Sequence, residues 1–211
     1  MKKWKIFSAL SVLILVACYV IMATDQNPYR YGKVFKYPAW TLKTNYQRMN
    51  IQEIGSMDFR AFDKNGNLIW EELDRPNNLA DEGEYLFLDT VLRGVTPPTN
   101  FYLRLYNDTP AETDNLTSLT GEPTQYGYAA CTVEGNTTGW PTLGLDSGDH
   151  QATSSTETFV ASGGSWGPVT YCVLATSSNN TGKLVSYVAL SQSRTLASGE
   201  SLQVTYKLKL Q

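Results

Sequence analysis

The side chains able to do acid–base, nucleophilic or metal chemistry are few in this 211-residue chain. The single histidine, His150, sits in Asp146-Ser147-Gly148-Asp149-His150, so a histidine with two nearby carboxylates is the first constellation to weigh. No nucleophile elbow of the G-x-S-x-G kind accompanies it, and one histidine cannot furnish a His-rich metal site. A solvated loop is the expected setting. Glu71-Glu72 and Glu82/Glu84 could be imagined as the carboxylate pair of a glycoside hydrolase. Adjacent strand residues point to opposite faces, however, and acids at 82 and 84 suit the first turn of a helix. Asp63-Lys64-Asn65-Gly66-Asn67 lacks the spaced oxygen ligands and terminal Glu of a calcium loop, and reads as a plain turn. Cys18, Cys131 and Cys172 form no CxxC and no zinc spacing. Cys131 and Cys172 fall in expected strands and read as buried free thiols. The sequence therefore predicts no enzyme and no cofactor.

These residues must be positioned by a chain rich in Thr, Ser, Gly, Tyr and Asn and poor in long helix-forming runs. That composition favours a mainly β protein: an antiparallel β-sandwich, jelly-roll or Ig-like, with one short helix and an extended N-terminal arm. Three regions follow: a hydrophobic segment over residues 1–24, a basic aromatic arm and linker over 25–55, and the sandwich over 56–211. Residues 1–50 carry eight Lys or Arg against one Asp, leaving nine basic and nineteen acidic residues for the remainder, a net charge of about −10. So acidic a body does not bind nucleic acid by itself, whereas the basic arm suits an acidic surface.

Lys2, Lys3 and Lys5 precede an uncharged run over residues 6–24. A positive start before an apolar run is the layout of a secretory signal. Leu15-Val16-Ala17-Cys18 also resembles a lipobox, with Cys18 the lipidated residue. Nineteen uncharged residues approach the ~20 needed to span a bilayer. Alternatively Met22 is a natural start and the preceding residues an upstream extension. Membrane contact is expected only if this segment is retained. In the arm, Tyr29, Tyr31, Phe35, Tyr37 and Trp40 interleave with Arg30, Lys33 and Lys36, while two prolines and a glycine discourage a helix. This pattern fits stacking on single-stranded nucleic acid or, the reading preferred here, a strap on a neighbouring subunit, since Tyr, Trp and Arg carry interface energy.

Several elements are legible downstream. Asn65-Gly66 between two extended runs predicts a hairpin with a type I′ turn. Arg75-Pro76-Asn77-Asn78 reads as a break. A helix is predicted over Asp81–Arg93, with acids at its start, Arg93 and Gly94 at its end, and a Tyr85, Leu88, Leu92 stripe beside Val91 to cover one end of a sheet. Residues 100–107 alternate Phe101, Leu103 and Leu105, the buried face, against a partly wet face of Tyr102, Arg104 and Tyr106. Residues 108–124 and 144–156 read as long polar loops, and 126–134 as a strand. Gly164-Ser165-Trp166-Gly167-Pro168 leads into a core strand plugged by Trp166, with Val169, Tyr171 and Val173 on one face and Thr170, Cys172 and Leu174 on the other, both covered. The last strand, 202–210, sets Leu202, Val204 and Tyr206 against Lys207 and Lys209, as an edge strand would.

Trp166-Gly167-Pro168-Val169-Thr170, the turn Asn179-Asn180-Thr181-Gly182, the strand over 184–190 and Ala197-Ser198-Gly199-Glu200-Ser201-Leu202 together resemble tailed-phage virion proteins of the tail-fibre or tail-associated type. Gly83-Glu84-Tyr85-Leu86-Phe87-Leu88 and Asn100-Phe101-Tyr102-Leu103-Arg104-Leu105-Tyr106-Asn107 also fit, so the resemblance covers roughly residues 58–211. It implies a structural virion component of the tail, the tail-fibre attachment or the capsid decoration. Other virion subunits, further copies of itself and a host surface receptor are the implied partners. The competing expectation, carried by Cys18 and the apolar run, is a lipid- or helix-anchored binding module of the bacterial cell envelope.

Overall fold

The computed structural model describes residues 55–210. The hydrophobic segment, with Cys18, and the aromatic arm from Tyr29 to Trp40 lie outside the described residues. Nine strands and one helix follow in order: β1 Gly55–Phe62, β2 Leu68–Leu79, α1 Asp81–Arg93, β3 Asn100–Tyr106, β4 Cys131–Glu134, β5 Thr142–Asp146, β6 Asp149–Val160, β7 Trp166–Ala175, β8 Leu184–Leu196 and β9 Ser201–Leu210. Every pairing is antiparallel, in the order β4-β3-β7-β8-β2-β1-β9-β6-β5. The sheet curls so that Met57, Phe59 and Ala61 of β1, Phe159 of β6 and Leu202, Val204 and Tyr206 of β9 meet Leu103 and Leu105 of β3, Cys172 and Leu174 of β7, and Val188 of β8 in one buried cluster. The body is thus the expected mainly β, two-layered antiparallel structure with one helix.

The curl is made at β2. Ser56 pairs with Pro76, whereas from Asn77 onward the strand pairs with β8. The predicted break at Arg75–Asn78 is instead the place where one strand leaves the first layer and joins the second. Proline is tolerated there because the ladder changes partner. A bulge helps: the register shifts between Met57 and Phe59, and Asp74 opposite takes φ 50° with its N–H donated to the Asp58 carboxylate at 2.9 Å.

The β1–β2 hairpin forms, with a different turn from the one expected. Only Gly66 (φ 83°) takes positive φ, so Lys64 and Asn65 make an ordinary corner closed by Gly66 N–H to the Asp63 carbonyl at 3.0 Å. The Asp63 carboxylate accepts from the Asn65 and Asn67 backbone and the Asn67 side chain. Those bonds, led by the Asn67 side chain, hold its carboxyl below the usual carboxylate range. They occupy the acid as a turn brace.

β9 is not an edge. It lies between β1 and β6, strands far from it in sequence, and Lys207 and Lys209 reach Asp58 and Asp74, and Asp146 respectively. The edges are β4 and β5. The stretch 144–156 is no loop either. β5 and β6 form a hairpin around Ser147 (φ 54°) and Gly148 (φ 97°). Serine at the first positive-φ position, where Asn is usual, hid the turn, and β-branched threonines on both arms supply the strands. The expected strand 126–134 shrinks to Cys131–Glu134, because Tyr126 (φ 57°) and Gly127 (φ 78°) turn the chain.

α1 spans the bounds read from sequence and ends on Gly94 in the left-handed region (φ 69°), its N–H bonded to the Asp89 carbonyl. Its orientation differs from expectation. Gly83 is the buried residue, and a Cβ there would collide with the Val185 carbonyl oxygen. Leu86 and Phe87 pack on the main core, while Tyr85, Leu88, Val91 and Leu92 face outward. Helix and strand approach closest at Gly83, and that contact fixes which face turns in.

Candidate functional site

β7 is the strand around which the described body packs, and a bulge sorts its side chains differently from strict alternation. The register shifts on both sides of Val169. Val169 therefore joins Trp166, Cys172 and Leu174 in the main core, while Tyr171 and Val173 face the other side of the sheet. That second side is covered by the segment 108–124, whose Leu116 and Leu119 are buried against Tyr106, Val173, Leu184 and Tyr187. The polar loop expected there is a cover for the sheet. Its polar residues serve the turns: Asp108 accepts from the Thr120 and Gly121 N–H groups.

Two aromatic groups tie the layers. Tyr128 stacks on Phe159 at 5.8 Å and meets Trp166 edge-on at 5.5 Å. Trp140 lies edge-on to Phe101 at 6.2 Å and to Tyr206 at 5.9 Å. Tyr128 is held by its hydroxyl, which accepts from Leu105 N–H and donates to Glu122, each at 2.8 Å. Leu103 and Leu105 are buried beside Phe101, which is half-buried.

The ionic side chains of the body are structural in placement. Arg104, expected on a partly wet face, is buried. It forms a fork with Glu122 and also donates to the Asn179 carbonyl and the Asn180 side chain, both in the β7–β8 turn. Glu72, on β2, accepts from Ser191 N–H (2.7 Å), Ser191 Oγ (2.8 Å) and Arg194 Nη2 (2.7 Å) on β8. Burial opposes its charge, but the Arg194 and Ser191 donors outweigh burial and hold its carboxyl below the usual range. Arg194 also lies over the Trp70 ring at 4.1 Å. This cluster clips β2 to β8 beyond their short backbone pairing. In the core, the Tyr206 hydroxyl bridges Asn77 Nδ2 (2.6 Å) and Ser186 Oγ (2.8 Å).

These clusters use their donors and acceptors in contacts between strands and turns. Glu71 and Glu72 point apart: Glu71 pairs with Arg60 on the surface. Glu82 accepts from Leu184 N–H and anchors the start of α1 to β8. His150 stands on β6 opposite Leu145 and Leu210. Among the described residues no group of three or more His, Cys, Asp or Glu could hold a metal ion. Cys131 and Cys172 are free thiols. Burial, then the nearby Glu157, pushes Cys131 up to about 12, and burial pushes Cys172 higher still. Such thiols are poor nucleophiles. Among the described residues no helix is long and apolar enough to cross a membrane.

What the surface offers is contact area. A groove of about 390 Å³ is lined by Pro97, Pro98, Phe101, Trp140, Leu143 and Ala152, among others. Leu143 and Leu145 project from the edge strand β5, and α1 presents its apolar stripe. Sequence reasoning found the stripe but assigned it to the core, and missed β5 by reading it as loop. These are exposed apolar faces.

A family model for Podophage GP4 fiber I protein gp80 matches residues 78–208. The matched stretch starts inside β2 and ends inside β9, taking in both layers and α1. No curated protein matches the chain.

Proposed function

From the premise that this chain belongs to the podophage GP4 fiber I protein family, a family of tailed-phage fibre proteins, we propose that it is a non-enzymatic structural component of the virion. The β body is the displayed part, and the segment carrying Tyr29, Arg30, Tyr31, Lys33, Phe35, Lys36, Tyr37 and Trp40 fastens it to neighbouring virion subunits. The observation that carries this reading is the family match over residues 78–208. Two features of the body agree with it. Its ionic clusters join strand to strand, as Glu72 does with Arg194 and Arg104 with Glu122. Among its exposed apolar side chains, Leu88, Val91 and Leu92 lie on the helix and Leu143 and Leu145 on an edge strand, surfaces from which protein contacts are built.

In the particle the protein occupies the tail, the tail-fibre attachment or the capsid surface, self-associates as symmetric assemblies do, and meets a host surface receptor. The acidic body repels nucleic acid, and the basic segment finds an acidic protein partner. The test is deletion of residues 22–40 in the phage. The expected outcome is a protein with unchanged far-UV circular dichroism and thermal melting that is missing from purified virions. Normal incorporation of the deleted protein would overturn the fastening role, and failure to find the intact protein in purified virions would overturn the virion assignment.

A further inference from the structure

β5 ends the sheet, and its outer side is unpaired among the described residues. The β5–β6 hairpin fixes which backbone groups that side presents. Ser147 and Gly148 form a two-residue loop, so Asp146 and Asp149 close it as a hydrogen-bonded pair. Gly144 with Gln151 and Thr142 with Thr153 repeat that pairing down the ladder. The N–H and C=O groups of Leu143 and Leu145 therefore point away from β6, along the free edge. Leu143 stands in one row with Ala152 and Leu208, and Leu208 packs against the core, so the two leucines share the core side of their layer. They are nevertheless 76 and 71% exposed. Natural edge strands are commonly guarded by lysine, proline or a bulge. β5 reads Thr142-Leu143-Gly144-Leu145-Asp146, contains no lysine or proline, and pairs with β6 in unbroken register.

A row of free backbone donors and acceptors specifies its partner as an extended strand. The order of residues in β5 says which strand, because Leu-Gly-Leu reads the same from both ends. With a second β5 laid antiparallel and Gly144 opposite Gly144, Leu143 faces Leu145 of the other copy. These are the outward-facing residues, so each leucine N–H donates to the carbonyl of the opposing leucine, and the edge groups of both copies are satisfied together. The leucine side chains gather on one face as apolar cross-strand pairs. A slip by one residue would put them on opposite faces and set outward-facing groups against inward-facing ones. On the other face Thr142 comes opposite Asp146 of the other copy. That carboxylate already accepts from Lys209 of its own chain at 2.9 Å and is 53% exposed, so the threonine hydroxyl adds a donor and no like charges are opposed. Gly144 leaves the axis clear, since even a Cβ there would meet nothing within 4 Å. The arrangement is isologous and closes at two copies. We propose that two copies of this chain pair through β5, antiparallel about a two-fold axis at Gly144, joining their sheets into one. This rests on the self-associating part of the proposed function and assigns that contact to a named strand and register.

The test uses the full chain. Sedimentation velocity across a concentration series should show an even-numbered oligomer. Leu143→Lys with Leu145→Lys should raise the dissociation constant at least tenfold while leaving thermal melting unchanged, because both side chains are exposed in the single chain. Disulfide trapping reads the register. Directly opposed residues of a non-hydrogen-bonded pair have Cα atoms about 4.5 Å apart, within disulfide reach. Under mild oxidation Gly144→Cys should therefore form a covalent dimer faster than the parent and faster than Lys64→Cys, placed on the β1–β2 turn. Thr142→Cys, whose counterpart lies four positions along the strand at roughly 14 Å, should be no faster than Lys64→Cys. Equal trapping of Thr142→Cys and Gly144→Cys overturns the axis at Gly144. An oligomer that survives the lysine variants and leaves Gly144→Cys no faster than Lys64→Cys overturns this surface while the virion role and self-association stand. A parent chain that stays monomeric overturns the pairing and the self-association together, and the incorporation experiment still judges the virion role.

Discussion

Glu72 offers a prediction with a size that follows from its surroundings. Its side chain is 6% exposed, it takes four donated hydrogen bonds from Ser191 and Arg194, and Arg75 Nε lies 3.6 Å away. Glu72→Ala leaves the Ser191 N–H without its acceptor and Arg194, whose side chain is 15% exposed, without its counter-ion. Removing one partner of a fully buried pair costs about 3–5 kcal/mol. Arg194 keeps partial access to water and its contact with Trp70, so the expected loss is at the lower end, about 3 kcal/mol. For a domain of this size that corresponds to a melting temperature lower by roughly 6–12 °C. Urea unfolding of the full chain at pH 7 measures it, and the double variant with Arg194→Ala should show a coupling of about 1–3 kcal/mol.

The pH dependence has a fixed sign. The folded Glu72 carboxyl titrates below its unfolded value of 4.5, so its contribution is fully present above 4.5 and lost as the pH falls through the lower, folded value. The gap between parent and Glu72→Gln should therefore narrow as the pH drops below 4.5 and be unchanged between pH 5 and 8. A loss under 1 kcal/mol for Glu72→Ala at pH 7, or a gap that widens in acid, would refute the claim that this cluster holds β2 against β8.

Gly83→Ala puts a methyl group into the Val185 carbonyl oxygen, so α1 must lift from β8. The expected cost is about 1–3 kcal/mol by urea unfolding, despite the gain in helix propensity. An unchanged midpoint would mean that the helix sits farther from the strand. Cys172 is fully buried and its thiol is raised by burial, then by the neighbouring Cys131. In folded protein at pH 8 it should resist Ellman's reagent and react only after denaturant is added. Cys131, raised to about 12, should react slowly at pH 8. Immediate labelling of Cys172 would contradict the packing of β7.

Local signals carried part of this fold. The ends of α1 are written in its acids, Arg93 and Gly94, because capping and dipole terms act within a turn of the residues that supply them. The turn at Asn65-Gly66 and the alternation of Phe101, Leu103 and Leu105 are equally local. The resemblance to fibre-type virion proteins is likewise local, since it rests on short runs of residue types.

The tertiary structure decided whatever depends on a distant partner. Both faces of α1 are apolar, and its spacing cannot say whether Leu86 and Phe87 or Tyr85, Leu88 and Leu92 turn inward. The backbone approach at Gly83 decides that. Arg104 looks like a surface residue until Glu122 and Asn180 arrive from two other segments to satisfy it. β2 appears broken at Pro76 until β8 takes over its ladder, and β9 looks like an edge until β6 covers it. Composition and period report what a residue prefers, while burial and pairing depend on which remote segment has the complementary groups, and only the folded chain brings those segments together.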